Sequence, residues 1–233
     1  MDPRHLFMDQ RLTGFCVYCG GSPDTHDHVP SKILLDEPYP PNLPTLEACE
    51  DCNSGFSLDE QYFACFVECV LCGSTESSCL KRPNVKRILN ENPALQQRLQ
   101  ESKQKDLFGN PLWRPEKARI HKIILKLARG HVAYELYPKL EEPAVVDFAF
   151  LPILSDRTRE DFENITSERI DLLPELGSRA FLRIFGKQAA RFESMGNWII
   201  VQPERYRYTV VETTGILVRI VISEYLYCQV YWE

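Results

Sequence analysis

The sequence predicts an α+β chain: a cysteine-rich amino-terminal module, a helical segment, and a carboxy-terminal α+β module with antiparallel strands. Three observations predict it. Two Cys-x-x-Cys pairs, Cys16/Cys19 and Cys49/Cys52, bracket a stretch with few apolar residues. Apolar residues then recur at helical spacing, with Ile120, Ile123, Ile124 and Leu127 on one stripe. From Asn197 onward β-branched and aromatic residues dominate, as suits pleated, half-buried strands. The expected division is a first module over residues 1–80 and a helical, then mixed, module over 81–233.

Composition narrows the class. With 233 residues, 44% hydrophobic and 26% charged, the chain reads as globular and long enough for one large domain or two small ones. The opening "MDPRHLFMDQRL" has neither a basic start nor an apolar run, so no signal peptide is expected. The longest apolar stretches, "FACFVECVLC" and "GILVRIVI", are interrupted by Glu68 and Arg219 and fall short of the roughly 20 residues that cross a bilayer. The expectation is a cytoplasmic protein with no membrane partner. There thiols stay reduced, and Cys-x-x-Cys reads as a metal ligand pair rather than a disulfide. A net charge of -6 and a pI near 5.5 exclude the overall basic footprint of a DNA-coating protein. Nucleic-acid contact must then be local, or be delivered by a protein partner that recruits or activates the chain.

Residues 1 to 56 carry too few apolar side chains to bury a core unaided, so a metal or the rest of the protein is expected to support them. Gly55 then reads as a helix stop and Ser57-Leu58-Asp59-Glu60 as a capping box opening a helix from Leu58 to Cys72. In that helix Cys65, Cys69 and Cys72 fall among Tyr62, Phe63, Phe66 and Val70; packing as small hydrophobes outweighs a second metal site with Cys79. Asn84 to Gln104 reads as two short helices divided at Asn92-Pro93, because proline disfavours helical geometry in the residue before it.

A longer helix is expected between Pro115 and Tyr137, interrupted at Gly130. Its Arg119, Lys122, Lys126 and Arg129 recur at steps of three and four, a stripe suited to a DNA backbone or simply to water. His121 and His131 carry no partner signal. Beyond residue 143, "AVVDFAFLPIL" reads as a strand and "SDRTREDFENI" as a capped helix. "WIIVQ", "RYRYTVVET", "GILVRIVIS" and "YLYCQVYW" follow as strands, with "TTG" as a turn and Cys228 as core.

The stretch "CVYCGGSPDTHDHVPSK" could by itself close a finger-like site from Cys16, Cys19, His26 and His28. The second pair, separated from Cys19 by 29 residues, removes that need. Two Cys-x-x-Cys turns present four thiolates, which make a closed, tetrahedral, structural zinc site. Asp27, His28 and Asn53 are then left as oxygen and nitrogen groups near the zinc ligands, suited to a hard divalent cation and a proton acceptor.

Cys16-x-x-Cys19, Asp27-His28 followed by Pro30, Asn42-Leu43 and Cys49-x-x-Cys52-Asn53 together resemble the HNH, or ββα-metal, endonucleases over about the first quarter of the chain. The resemblance implies a β-hairpin carrying "HDHVPSK", then a short helix through Cys49 to Ser54. It implies His28 as general base, Asp27 and Asn53 as ligands of a catalytic Mg²⁺ or Mn²⁺, and Asn42 as the brace behind the histidine. DNA is the implied substrate, nicked or cut through, and a restriction or anti-phage role follows by analogy. The sequence departs from many members in placing Pro30 one residue early and in lacking a basic residue soon after Asn53; Lys32 is then the local phosphate contact expected, with His26 a phosphate-orienting group or a spectator. The rivals are a non-catalytic four-cysteine zinc module that binds nucleic acid or protein, and RNA in place of DNA.

Overall fold

In the computed structural model the described residues are 14–41, 43–105, 108, 111–164, 193–195, 198–212 and 214–233. They form two compact units, Met1–Ser54 with Ile124–Glu233, and Gly55–Ile123. The described residues 14–54 thus group with the carboxy-terminal sheet, a grouping other than the division at residue 80.

In the first unit, strand β1 (Thr25–His28) pairs antiparallel with β2 (Thr45–Ala48), setting Asp27 opposite Leu46 and His28 opposite Thr45. Helix α1 (Glu50–Cys72) starts directly after β2. The Asp24 carboxylate accepts the Glu50 backbone N–H at 2.6 Å, so the residue just before β1 caps the helix that follows β2. Glu50 and Asp51 add negative charge to the positive end of the helix dipole.

Six antiparallel strands make the large sheet, in the order β5-β10-β9-β8-β7-β6. They are β5 (Val145–Phe150), β6 (Glu193–Met195), β7 (Trp198–Gln202), β8 (Tyr206–Glu212), β9 (Ile216–Ile222) and β10 (Leu226–Trp232). The last four are the strands read from the sequence, and β8 and β9 pair up to Glu212 opposite Ile216, which brackets the expected turn. Alternate residues serve opposite faces. Tyr206 and Tyr208 are buried against His131 and Glu135 of helix α4 (Lys117–Glu135). Arg207, between them, turns to Glu163 of helix α5 (Asp156–Glu163) and to Glu224, with N···O distances of 2.7 Å to each. On that side Trp198, Val221 and Tyr227 pack with Leu151, Leu154 and Phe162. Ser155 caps α5 through the Thr158 N–H, as its sequence predicts.

The chain just after β1 is clamped to this sheet. Gln202 exchanges two hydrogen bonds of 2.9 Å with the Asp36 backbone, and Arg205 donates to the Leu34 carbonyl at 3.0 Å. These bonds are the physical reason that residues so far apart in sequence form one unit.

In the second unit α2 (Pro83–Glu91) and α3 (Pro93–Ser102) are divided at Asn92, whose side chain caps α3 through the Leu95 N–H. A hairpin of β3 (Lys103–Lys105) and β4 (Pro111–Trp113) follows. Cys65 and Cys69 are fully buried beside Tyr62, Phe63 and Phe66, so they are core, and Cys228 of β10 is likewise buried.

Two local expectations need correction. Helix α1 does not stop at Gly55 or restart at Ser57; it runs unbroken from Glu50 to Cys72, started by Asp24 from outside the helix. Helix α4 is also unbroken through Gly130. There a Cβ would sit 3.0 Å from the Val29 side chain, so glycine allows a close approach rather than a break.

Candidate functional site

The turn after Phe15 sets Cys16 and Cys19 in a geometry that could ligate a metal. Gly20 adopts φ +77°, a left-handed geometry that favours glycine, and its N–H bonds the Cys16 carbonyl at 2.8 Å. The Gly21 N–H points at Cys19 Sγ and the Cys52 N–H at Cys49 Sγ, each at 3.4 Å. Backbone donors aimed at sulfur favour thiolates. The Cys16, Cys19, Cys49 and Cys52 sulfurs all lie within 4.8 Å of one another, a donor set whose chemistry suits tetrahedral zinc. Burial raises the Cys16 thiol, but backbone hydrogen bonds outweigh it and bring the pKa down to about 7. Burial and the other three thiols push Cys52 upward. One thiol ionises readily and the next resists, as expected of clustered thiols whose repulsion a divalent cation would relieve.

His26 and His28 alternate with Thr25 and Asp27 along β1. His26 is exposed, opposite Glu47, and lies outside the thiol cluster. His28 is half-buried, and its imidazole has no hydrogen-bond partner among the described residues. Burial lowers its pKa first, Lys32 and Lys126 push the same way, and Asp27 opposes them.

Asp27 is buried and, among the described residues, held through one oxygen. Its Oδ2 accepts the Tyr18 hydroxyl at 2.7 Å and the Lys126 ammonium at 2.7 Å. Lys126 also donates to Ser31 Oγ at 2.9 Å and lies over the Tyr18 ring. Asp27 Oδ1 has no partner among the described residues. Asn53 is fixed in a parallel way: its Nδ2 donates to Thr25 Oγ1 at 3.3 Å, and that hydroxyl donates to the Ala48 carbonyl at 3.1 Å. Among the described residues its amide oxygen is likewise without a partner. Among the described residues each thus has one anchored atom and one oxygen without a partner, a hard donor of the kind a Mg²⁺ or Mn²⁺ ion would take. Asn42 lies outside the described residues.

The basic stripe on α4 is not the open face expected from its spacing. Lys126 is 2% exposed and turned to Asp27. Arg119 and Lys122 both pair with Asp59, at 3.4 and 2.6 Å, and Arg129 pairs with Glu142 at 3.0 Å. Helical spacing placed the four cations together but could not reveal the carboxylates that meet them. Lys32 is exposed, 5.7 Å from the Tyr39 ring centre. Tyr18, Thr25 and Ser31, which complete the polar frame, were not singled out from the sequence. Only the parity of Thr25 with Asp27 along β1 hinted at one of them.

Comparison with protein-family models, with curated proteins and with solved structures returns no match to this chain. No helix among the described residues is long and apolar enough to cross a membrane.

Proposed function

We propose that this chain is an HNH-type endonuclease that hydrolyses DNA phosphodiesters. The observation that carries the reading is the pairing of Asp27-His28 on β1 with Asn53 in the first turn of α1, linked by the Asn53–Thr25 hydrogen bond beside a four-cysteine cluster. His28 takes the proton from an attacking water; its lowered pKa, with no hydrogen-bond partner among the described residues, keeps the imidazole neutral for that task. Lys32, exposed four residues beyond, meets the phosphate. Asp27 and Asn53 hold the divalent cation through their available oxygens. When bound, such a cation supplies Lewis-acid stabilisation of charge developing on the phosphoryl group and leaving oxygen. The cysteines hold zinc and keep β1, β2 and α1 in register. A restriction or anti-phage role, with a partner that delivers DNA to this acidic chain, belongs to the same reading.

A non-catalytic zinc module that binds nucleic acid or protein draws on one observation: Lys126 neutralises Asp27, which a structural ion pair would also do. Supercoiled plasmid separates the two. Wild-type protein is expected to nick or linearise it with Mg²⁺ or Mn²⁺, and neither chelator-treated protein nor His28→Ala should do so. Full-rate cutting by a folded, zinc-replete His28→Ala protein would sink the nuclease assignment, and no cutting under any condition moves the reading to the binding module.

A further inference from the structure

We propose that Lys126 is a positioning residue that makes divalent-cation binding at Asp27 depend on the phosphodiester. The inference rests on the nuclease reading and adds an order to it. Three features of the geometry carry it.

The ammonium of Lys126 is almost wholly buried, 2.7 Å from Asp27 Oδ2, and is held there by Ser31 Oγ and the Tyr18 ring. It therefore stays at the carboxylate rather than swinging into water, since a buried cation is stable only beside its partner. Second, Asn53 adds no charge, so the carboxylate's formal charge is already cancelled where a cation would bind. Third, Lys32 stands exposed five residues beyond Asp27, and it and Lys126 are both positive neighbours of His28, while Asp24, the nearer acidic residue along the chain, is engaged with the Glu50 N–H. The group formed by Asp27, Lys126 and Lys32 thus carries no net negative charge before substrate arrives. It attracts a phosphodiester and offers a divalent ion little.

A bound phosphodiester reverses this. Its negative charge and non-bridging oxygens join Asp27 Oδ1 and the Asn53 amide oxygen, and Mg²⁺ commonly binds through one or two carboxylates together with substrate phosphates. By linkage, DNA must tighten the cation by the same factor that the cation tightens DNA. Lys126 also leaves the second oxygen of Asp27 available by occupying the first. The consequence is a site that does not load its metal until the strand to be cut is in place.

The test is a Mn²⁺ titration, read by the paramagnetic resonance signal of unbound Mn²⁺, on the full zinc-loaded chain carrying His28→Ala to prevent cleavage. It is run with and without a short DNA duplex, and with Asp27→Asn added to identify binding at this site. DNA is expected to tighten Asp27-dependent Mn²⁺ binding by about tenfold or more, within the usual range of coupling between sites. Adding Lys126→Met should tighten Mn²⁺ binding without DNA by a similar factor and shrink the effect of DNA, whereas Lys126→Arg should preserve the coupling. Tight Asp27-dependent Mn²⁺ binding that DNA does not alter overturns the inference and leaves the nuclease reading standing. So does a folded Lys126→Met protein with reduced melting temperature but unchanged Mn²⁺ affinity, the mark of a purely structural lysine. If Lys126→Met does not fold, the DNA dependence in the Lys126 and Lys126→Arg chains still decides. Absence of Asp27-dependent Mn²⁺ binding even with DNA overturns the metal assignment of the nuclease reading, and this inference with it.

Discussion

His131 Nε2 lies 2.8 Å from the Tyr206 hydroxyl, and the same imidazole stacks on Tyr208 with ring centres 3.7 Å apart. The histidine is fully buried, so a residue without any partner signal in the sequence forms a polar joint between α4 and the large sheet. Burial lowers its pKa from the ordinary 6.5 to about 3. The folded chain therefore keeps it neutral at pH values where the unfolded chain takes up a proton. Stability unaffected by this group above about pH 6.5 is lost as pH falls toward 3, at up to about 1.4 kcal/mol per pH unit. Urea midpoints at pH 7 and pH 5 should separate more for wild type than for His131→Phe, and equal separations would contradict the assignment.

The two kinds of site residue should fail differently. Cys52→Ser removes one of four clustered thiols and should release zinc and unfold the amino-terminal region, because structural zinc in small modules binds with roughly 10 to 16 kcal/mol of apparent free energy. His28→Ala removes an imidazole with no partner among the described residues. On the proposed nuclease reading, its melting temperature and zinc content should stay near wild type while cleavage falls by about 10² to 10⁴, the range of a general base. Zinc analysis, thermal melting and plasmid nicking on the two variants distinguish these outcomes.

The Asp24 carboxylate should be worth a helix cap. It accepts the Glu50 N–H, one of the donors that α1 leaves unpaired at its start. Asp24→Ala should lower stability by about 0.5 to 2 kcal/mol in chemical denaturation, and Asp24→Asn, which keeps an acceptor, by less. If the two variants are equally stable, the cap is not operating.

Much of the architecture was legible because its causes are local. Asn92 and Ser155 announce the helices they cap, and the alternating residues of Trp198–Gln202 to Leu226–Trp232 announce a sheet. The cysteine pairs were readable from spacing alone. What escaped depends on residues far apart in sequence. The start of α1 is set by Asp24 from across the hairpin, so Gly55, a helix-stop signal when read locally, is carried through at a propensity cost of about 1 kcal/mol. Lys126 looked like one member of a basic face because Asp27 and Ser31, which bury it, lie on an earlier strand and the loop after it. Sequence spacing shows which residues share a helix face, and tertiary packing decides what that face meets.

Gly130 offers a test of how α4 supports the site. Its helix presses on Val29, the residue after His28, so closely that an added Cβ would lie 3.0 Å from one Val29 methyl and 3.3 Å from the other. Gly130→Ala brings two opposed effects: about 0.5 to 1 kcal/mol gained in helix propensity, and a contact that requires Val29 to shift by a few tenths of an ångström. Net stability should then change little. Gly130→Leu has no such balance, because its branched side chain must displace Val29 and the strand end that carries His28; overpacking of this kind typically costs about 1 to 3 kcal/mol. On the proposed nuclease reading, cleavage should fall more than stability in Gly130→Leu, since hydrolysis would then depend on where His28 points as well as on the fold. Pairing the leucine variant with Val29→Ala reopens the space and should restore part of the rate. A double variant no more active than Gly130→Leu alone would show that the close approach of α4 to Val29 does not set the position of the histidine.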